Sequence, residues 1–114
     1  MDVIQIQGQI KAYEWGNTSF IPTLLSMPED GESKAELWFG THPSGDATVV
    51  ETKENLSDFL RKDSLHWFGQ EHVDCFSDEL PLLLKVLAIE HPLSIQVHPT
   101  KAQAEEGWKA EEHL

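Results

Sequence analysis

The stretch that most constrains this chain is residues 81–99, PLLLKVLAIEHPLSIQVHP, an apolar run followed by a strictly alternating one. Leu82, Leu83, Leu84, Val86, Leu87, Ala88 and Ile89 are too few to cross a bilayer, yet apolar enough for a core strand covered on both faces. On such a strand Lys85 is costly unless its ammonium reaches water or a partner. Glu90, His91 and Pro92 predict a reversal, after which residues 93–98 read as a second strand with period two. Ser94, Gln96 and His98 then share one face, while Ile95 and Val97 point the other way into apolar packing. A carboxamide oxygen and an imidazole side by side on a strand can supply two ligands to a divalent metal, although the same pair can equally be solvated or hydrogen-bonded. For Lys85 to serve the same cavity, antiparallel register must set it opposite Gln96 or His98 and not Val97.

Upstream, Ile4, Ile6, Ile10 and Ala12 alternate with Gln5, Gln7, Gln9 and Lys11, the pattern of a strand with one buried and one wet face and a bulge at Gly8. Residues 22–34, with two prolines and a glycine, read as a loop. Glu36 and Trp38 alternate with Leu37 and Phe39 in a strand that Gly40 and Pro43 end. Glu36 on such a strand can bind a sugar hydroxyl, support a metal ligand or pair with a lysine. His42, held before a proline in a turn, reads as structural. Residues 47–50 form a short strand. Leu56, Phe59, Leu60 and Trp67 fall at helical spacing, so one broken helix or two short ones cover residues 57–68, with Asn55 or Ser57 as N-cap and Gly69 as stop. Thr100 and Gln103 spell a capping box, predicting a helix from about residue 101 that Gly107 shortens.

The run LPLLLKVLAIEHPLSIQVHPTKAQAEEGW resembles the central motif of type I phosphomannose isomerases. Tyr13-Glu14-Trp15-Gly16 resembles that family's Y-x-W-G, and residues 35–43, AELWFGTHP, resemble its AELW-x-G-x-HP segment, in the same order. The resemblance implies a mainly β, cupin-like fold (a partial jelly roll) with small helical segments, and a zinc enzyme interconverting mannose 6-phosphate and fructose 6-phosphate. It implies that residues 1–114 form one cupin-like N-terminal portion with a short helical insertion near residues 55–69. By the same resemblance Gln96 and His98 are metal ligands, Lys85 is catalytic, and Trp15, Glu36 and Ser94 line the sugar cavity. The family's H-K-P-E motif, which supplies a glutamate ligand, and its later histidine ligand and arginine have no counterpart in these residues. The expectation is therefore weak or absent zinc and no turnover by this chain alone. The other reading is a non-catalytic β-rich module, binding or self-associating, that keeps a remnant of the metal site.

Charge narrows the partners. Eight basic against twenty acidic residues give a formal net charge of −12, which disfavours nucleic acid and anionic membrane surfaces. A sugar phosphate remains compatible, because a local cation cluster can oppose the global field. The single cysteine, Cys75, excludes an intrachain disulfide, suits a reducing cytoplasm and reads as a packing residue. The segment MDVIQIQGQI has neither a basic leader nor an apolar core of the kind that targets secretion. A partial barrel leaves sheet edges open, so a homo-oligomer that covers them is expected.

Overall fold

The computed structural model describes residues 2–113, so only the two terminal residues of the expected 1–114 unit lie outside it. Two antiparallel sheets form. The first pairs β1 (Ile6–Gln7) with β4 (Thr48–Val49), and the second has the order β2 (Gln9–Lys11), β3 (Glu36–Gly40), β5 (Leu83–Leu87). Gly8 does more than bulge the first strand. It divides it, so that Ile6 meets Val49 in one sheet and Ile10 meets Leu37 in the other. Each sheet carries its own apolar cluster. Ala47, Val49, Leu56 and Leu60 form one, with Ile4, Ile6, Phe59, Trp67 and Phe68 against it. Ile21, Leu37 and Ala88 form the other, flanked by Ile10, Phe39 and Val86.

The helical stripe resolves into three short pieces, α2 (Leu56–Arg61), α3 (Ser64–Phe68) and α4 (Gln70–Phe76). Gly69 divides the last two with φ +81°, a conformation that favours glycine. Asn55 occupies the N-cap of α2 without a side-chain bond; instead Asp46 accepts from the Ser57 N–H at 3.2 Å and from its hydroxyl. One helix falls where a loop was expected, α1 (Phe20–Leu24). The Asn17 side-chain oxygen accepts from the backbone N–H of Ser19 and of Phe20, both at 2.8 Å, so the sequence Asn-Thr-Ser is its start signal. The capping box at Thr100 and Gln103 is present and opens α5 (Lys101–Glu112), which runs through Gly107 unshortened.

Three expectations are corrected. β5 is not covered on both faces: Leu84 on one face and Leu87 on the other are exposed, as is Leu82 just before the strand. Residues 93–98 form no strand, and Ile95 and Val97 are 99% and 87% exposed rather than packed. Cys75 is exposed on α4. The Cα radius of gyration, 17.6 Å, exceeds the roughly 13 Å of a compact chain of this length, in keeping with residues 91–113 lying outside both cores. No described helix is long and apolar enough to cross a membrane.

Candidate active-site face

Register decides which side chains meet. Across β2, β3 and β5, Lys11 lies opposite Glu36 and Leu87, while Gln9 lies opposite Trp38 and Lys85. Directly opposed residues share a face, so Lys11, Glu36, Trp38 and Lys85 project together, and Ile10, Leu37 and Val86 project into the second core. Both β2 and β5 pair with β3, which accounts for the burial of Glu36 and Trp38.

A carboxylate so placed needs partners. The Trp38 indole N–H donates a short hydrogen bond to Glu36 Oε2, and Lys85 Nζ stands 3.8 Å from the same oxygen. Lys85 Nζ also lies 4.6 Å from the Trp38 ring centroid, within cation–π range. Its side chain is 39% exposed, so the stem lies along the indole while the ammonium keeps contact with solvent. His42 approaches the Trp38 ring edge-on at 5.3 Å, and its Nδ1 accepts from the Ser44 N–H at 3.0 Å, closing the turn after β3. That is the structural part expected of it.

The other expected site residues are not brought to this face. Trp15 stacks on Tyr13 at 5.8 Å, and its carbonyl accepts from the Glu90 and His91 N–H groups at 2.9 and 3.2 Å, tying the early chain to the end of β5. Ser94, Gln96 and His98 lie on the exposed run after β5. Lys85 is paired with Trp38 rather than facing Gln96 or His98, because β3 occupies the edge that pairs it and the 93–98 run forms no ladder. No group of three or more His, Cys, Asp or Glu side chains among the described residues is arranged to hold a metal ion. Gln96 and His98 thus offer zinc two compatible donors, fewer than the three protein ligands usual in a catalytic site.

A cleft of about 510 Å³ lies away from Glu36 and Lys85, between the 41–43 turn, α2 and residues 78–83. Its one guanidinium, Arg61, lies 3.6 Å from an Asp78 oxygen and 3.8 Å from an Asp58 oxygen. Trp38 was not singled out by sequence reasoning, although its place two residues after Glu36 puts the two on one face.

Residues 3–113 match the family model described as phosphomannose isomerase type I, catalytic domain. Mannose-6-phosphate isomerase of Saccharomyces cerevisiae is 45% identical over 111 residues, covering 88% of this chain and 26% of its own length. The crystal structure of mannose 6-phosphate isomerase (apo form) from Salmonella typhimurium superposes with a TM-score of 0.82 at 33% identity, over 99% of this chain and 29% of that one. A crystal structure of mannose 6-phosphate isomerase bound with zinc and yttrium gives 0.81 at 32% identity, over 95% of this chain and 28% of that one. The chain spans about a quarter of the length of the curated relatives it matches. The expected mainly β, cupin-like architecture with small helical segments holds. With the family model matched from residue 3 to residue 113, the chain belongs to the type I phosphomannose isomerase family.

Proposed function

We propose that this chain serves the zinc-dependent aldose–ketose isomerisation of mannose 6-phosphate and fructose 6-phosphate, and that these 114 residues do not complete the metal site by themselves. The observation that carries the reading is the convergence of Glu36 and Lys85 on Trp38, on one face of a sheet whose relatives are mannose-6-phosphate isomerases. In this reading Lys85 is catalytic, Trp15, Glu36 and Ser94 contact the sugar, and Gln96 and His98 are metal ligands. The substrate is a sugar phosphate and the setting is the cytoplasm.

The reaction moves a proton between adjacent carbons while a carbonyl shifts along the chain. Zinc, when bound, supplies polarisation of the sugar oxygens. As an ammonium, Lys85 donates hydrogen bonds to a sugar oxygen, and Glu36 Oε2 at 3.8 Å is its ion-pair partner on the same face. The Trp38 N–H donates to the same Glu36 oxygen, which holds the carboxylate beside the strand carrying Lys85. Gln96 and His98 must move from their exposed positions, or be met there by further polypeptide, to act with this pair.

Zinc per chain, measured on protein purified without added metal, tests the proposal together with an isomerase assay. Substoichiometric zinc and no turnover are expected from the 114 residues alone. About one tightly held zinc per chain together with turnover would overturn the incompleteness, since the remaining ligands would then come from this chain or a second copy. The open edge of β5 favours association with further polypeptide, a homo-oligomer included. A clean monomer by sedimentation at high concentration would remove the oligomer from the proposal.

A further inference from the structure

We infer that Lys11 and the turn at residues 41–45 clamp the Trp38 ring so that its N–H is aimed at Glu36, which makes Lys11 and Gly45 positioning residues for the Glu36–Lys85 pair. The inference rests on the reading of that pair as site residues, and it gives Lys11 a role that the wet-face pattern of its strand did not suggest.

Pairing within β3 fixes where the Trp38 Cα–Cβ bond points, but not how the ring is turned about it. The torsion that turns an indole joins a tetrahedral carbon to a planar one and has broad, roughly two-fold wells, and half a turn would carry the N–H away from Glu36. Contacts beyond the ladder must therefore choose the orientation. Lys11 Nζ lies 4.5 Å from the ring centroid and donates to the Ser44 carbonyl, so β2 is tied to the turn over the indole. His42 meets the ring edge-on at 5.3 Å. The turn is stiff from within: His42 Nδ1 accepts from the Ser44 N–H at 3.0 Å, its carbonyl accepts from the Gly45 N–H at 2.9 Å, and the Gly40 carbonyl closes the base by accepting from the Ala47 N–H at 2.9 Å. Gly45 is the point of closest approach. A Cβ there would stand 2.9 Å from Trp38 Cε3 and 3.1 Å from Lys11 Cε, although its φ lies outside the left-handed region, so the ring and not the backbone demands glycine. Trp38 is only 7% exposed, which leaves the indole little room to yield to a side chain at residue 45. Any turn of the ring is felt on the site, because its N–H donates to Glu36 Oε2 and its face lies 4.6 Å from Lys85 Nζ.

The test reads two signals by nuclear magnetic resonance: the Trp38 indole N–H, identified by its loss in Trp38→Phe, and the Lys85 ε-methylene, identified by its loss in Lys85→Arg. Gly45→Ala changes no charge and no hydrogen-bonding side chain. It should move the indole proton upfield, speed its exchange with solvent by on the order of tenfold, and return the Lys85 ε-methylene from its ring-shifted position towards that of an exposed lysine. Lys11→Met keeps the apolar stem but loses the bond to Ser44, and should move both signals in the same directions, whereas Lys11→Arg should restore them. Parent-like signals in Gly45→Ala would overturn the clamp, even if the variant were less stable in urea, because a turn that merely packs changes stability without turning the ring. Should Gly45→Ala fail to fold by circular dichroism, Lys11→Met decides the matter: unchanged indole and Lys85 signals overturn the inference, and displaced signals that Lys11→Arg restores uphold it. Zinc content and turnover, which test the isomerase reading, play no part in these spectra, so the two can fail separately.

Discussion

β3 and the run at residues 93–98 carry the same period-two signal and end in opposite states. Along β3, Glu36 and Trp38 alternate with Leu37 and Phe39, and neighbouring strands pair on both sides, burying Leu37 to 1% and Trp38 to 7% exposure. Along 93–98, Ser94, Gln96 and His98 alternate with Ile95 and Val97 just as strictly, yet no strand among the described residues pairs with them and every side chain is exposed. Alternation fixes which side chains share a face, while ladder pairing decides whether that face becomes a site. The lesson bears directly on chemistry, because Glu36 and Lys85 are positioned by three paired strands and Gln96 and His98 by none.

The contrast breaks most visibly in amide hydrogen exchange. Leu37 and Trp38 should be protected by on the order of a thousandfold or more relative to Ile95 and Val97, as central-strand amides are relative to unpaired backbone. Comparable protection at Ile95 and Val97 would mean that the run is paired in solution, by another copy or by a rearrangement of this one. Mutations sharpen the same comparison. Leu37→Ala removes a fully buried side chain between two strands and should cost about 2–5 kcal/mol in urea unfolding. Val97→Ala should stay within about 0.5 kcal/mol, and a larger loss there would show that Val97 packs in solution.

Trp38→Phe keeps an aromatic face for the lysines but deletes the N–H that Glu36 accepts, leaving a nearly buried carboxylate short of a donor. A loss of about 1–2 kcal/mol is expected, and restoration by the double change Trp38→Phe with Glu36→Gln would confirm that the carboxylate is the source. His98→Ala should alter stability by less than about 0.5 kcal/mol while lowering whatever zinc the chain retains. Unchanged zinc content would remove His98 from the metal set.

Acid gives the smallest effect. The hydrogen bond from Lys34 holds the Asp30 carboxyl below the usual carboxylate range. A depressed folded-state value contributes stability above the unfolded value of about 3.9, and that contribution disappears as pH falls through the folded value. Asp30→Asn should therefore slightly flatten the decline of the urea midpoint below about pH 4 while leaving exchange at 93–98 unchanged. An acid limb identical to the parent's would mean that the pair contributes nothing.

Much of the local structure was legible before any contact was known. An irregularity at Gly8, the helical stripe through Leu56 and Trp67, the stop at Gly69 and the capping box at Thr100 are all encoded within a few residues, through turn geometry, periodicity and side-chain hydrogen bonds, although the division of the first strand between two sheets at Gly8 was not. The motifs around Trp15, Glu36 and Lys85 were enough for the family. α1 escaped because Pro22 was taken as a loop residue, although proline is tolerated in a first helical turn and the Asn17 side chain accepts from the Ser19 and Phe20 N–H groups just before it.

What the tertiary structure alone decided is partnership. Residues 82–89 and 93–98 were expected to pair with each other, but β5 pairs with β3 and the second run forms no strand and pairs with nothing among the described residues. That choice moved Lys85 from Gln96 to Trp38, gathered Lys11 and Glu36 around the same indole, and left the two expected metal donors in solvent. The amino-acid order determines strand character and facing by steric rules acting over a few residues. Which strands meet is set by hydrogen-bond ladders and burial gained across dozens of residues, a competition that no local pattern records.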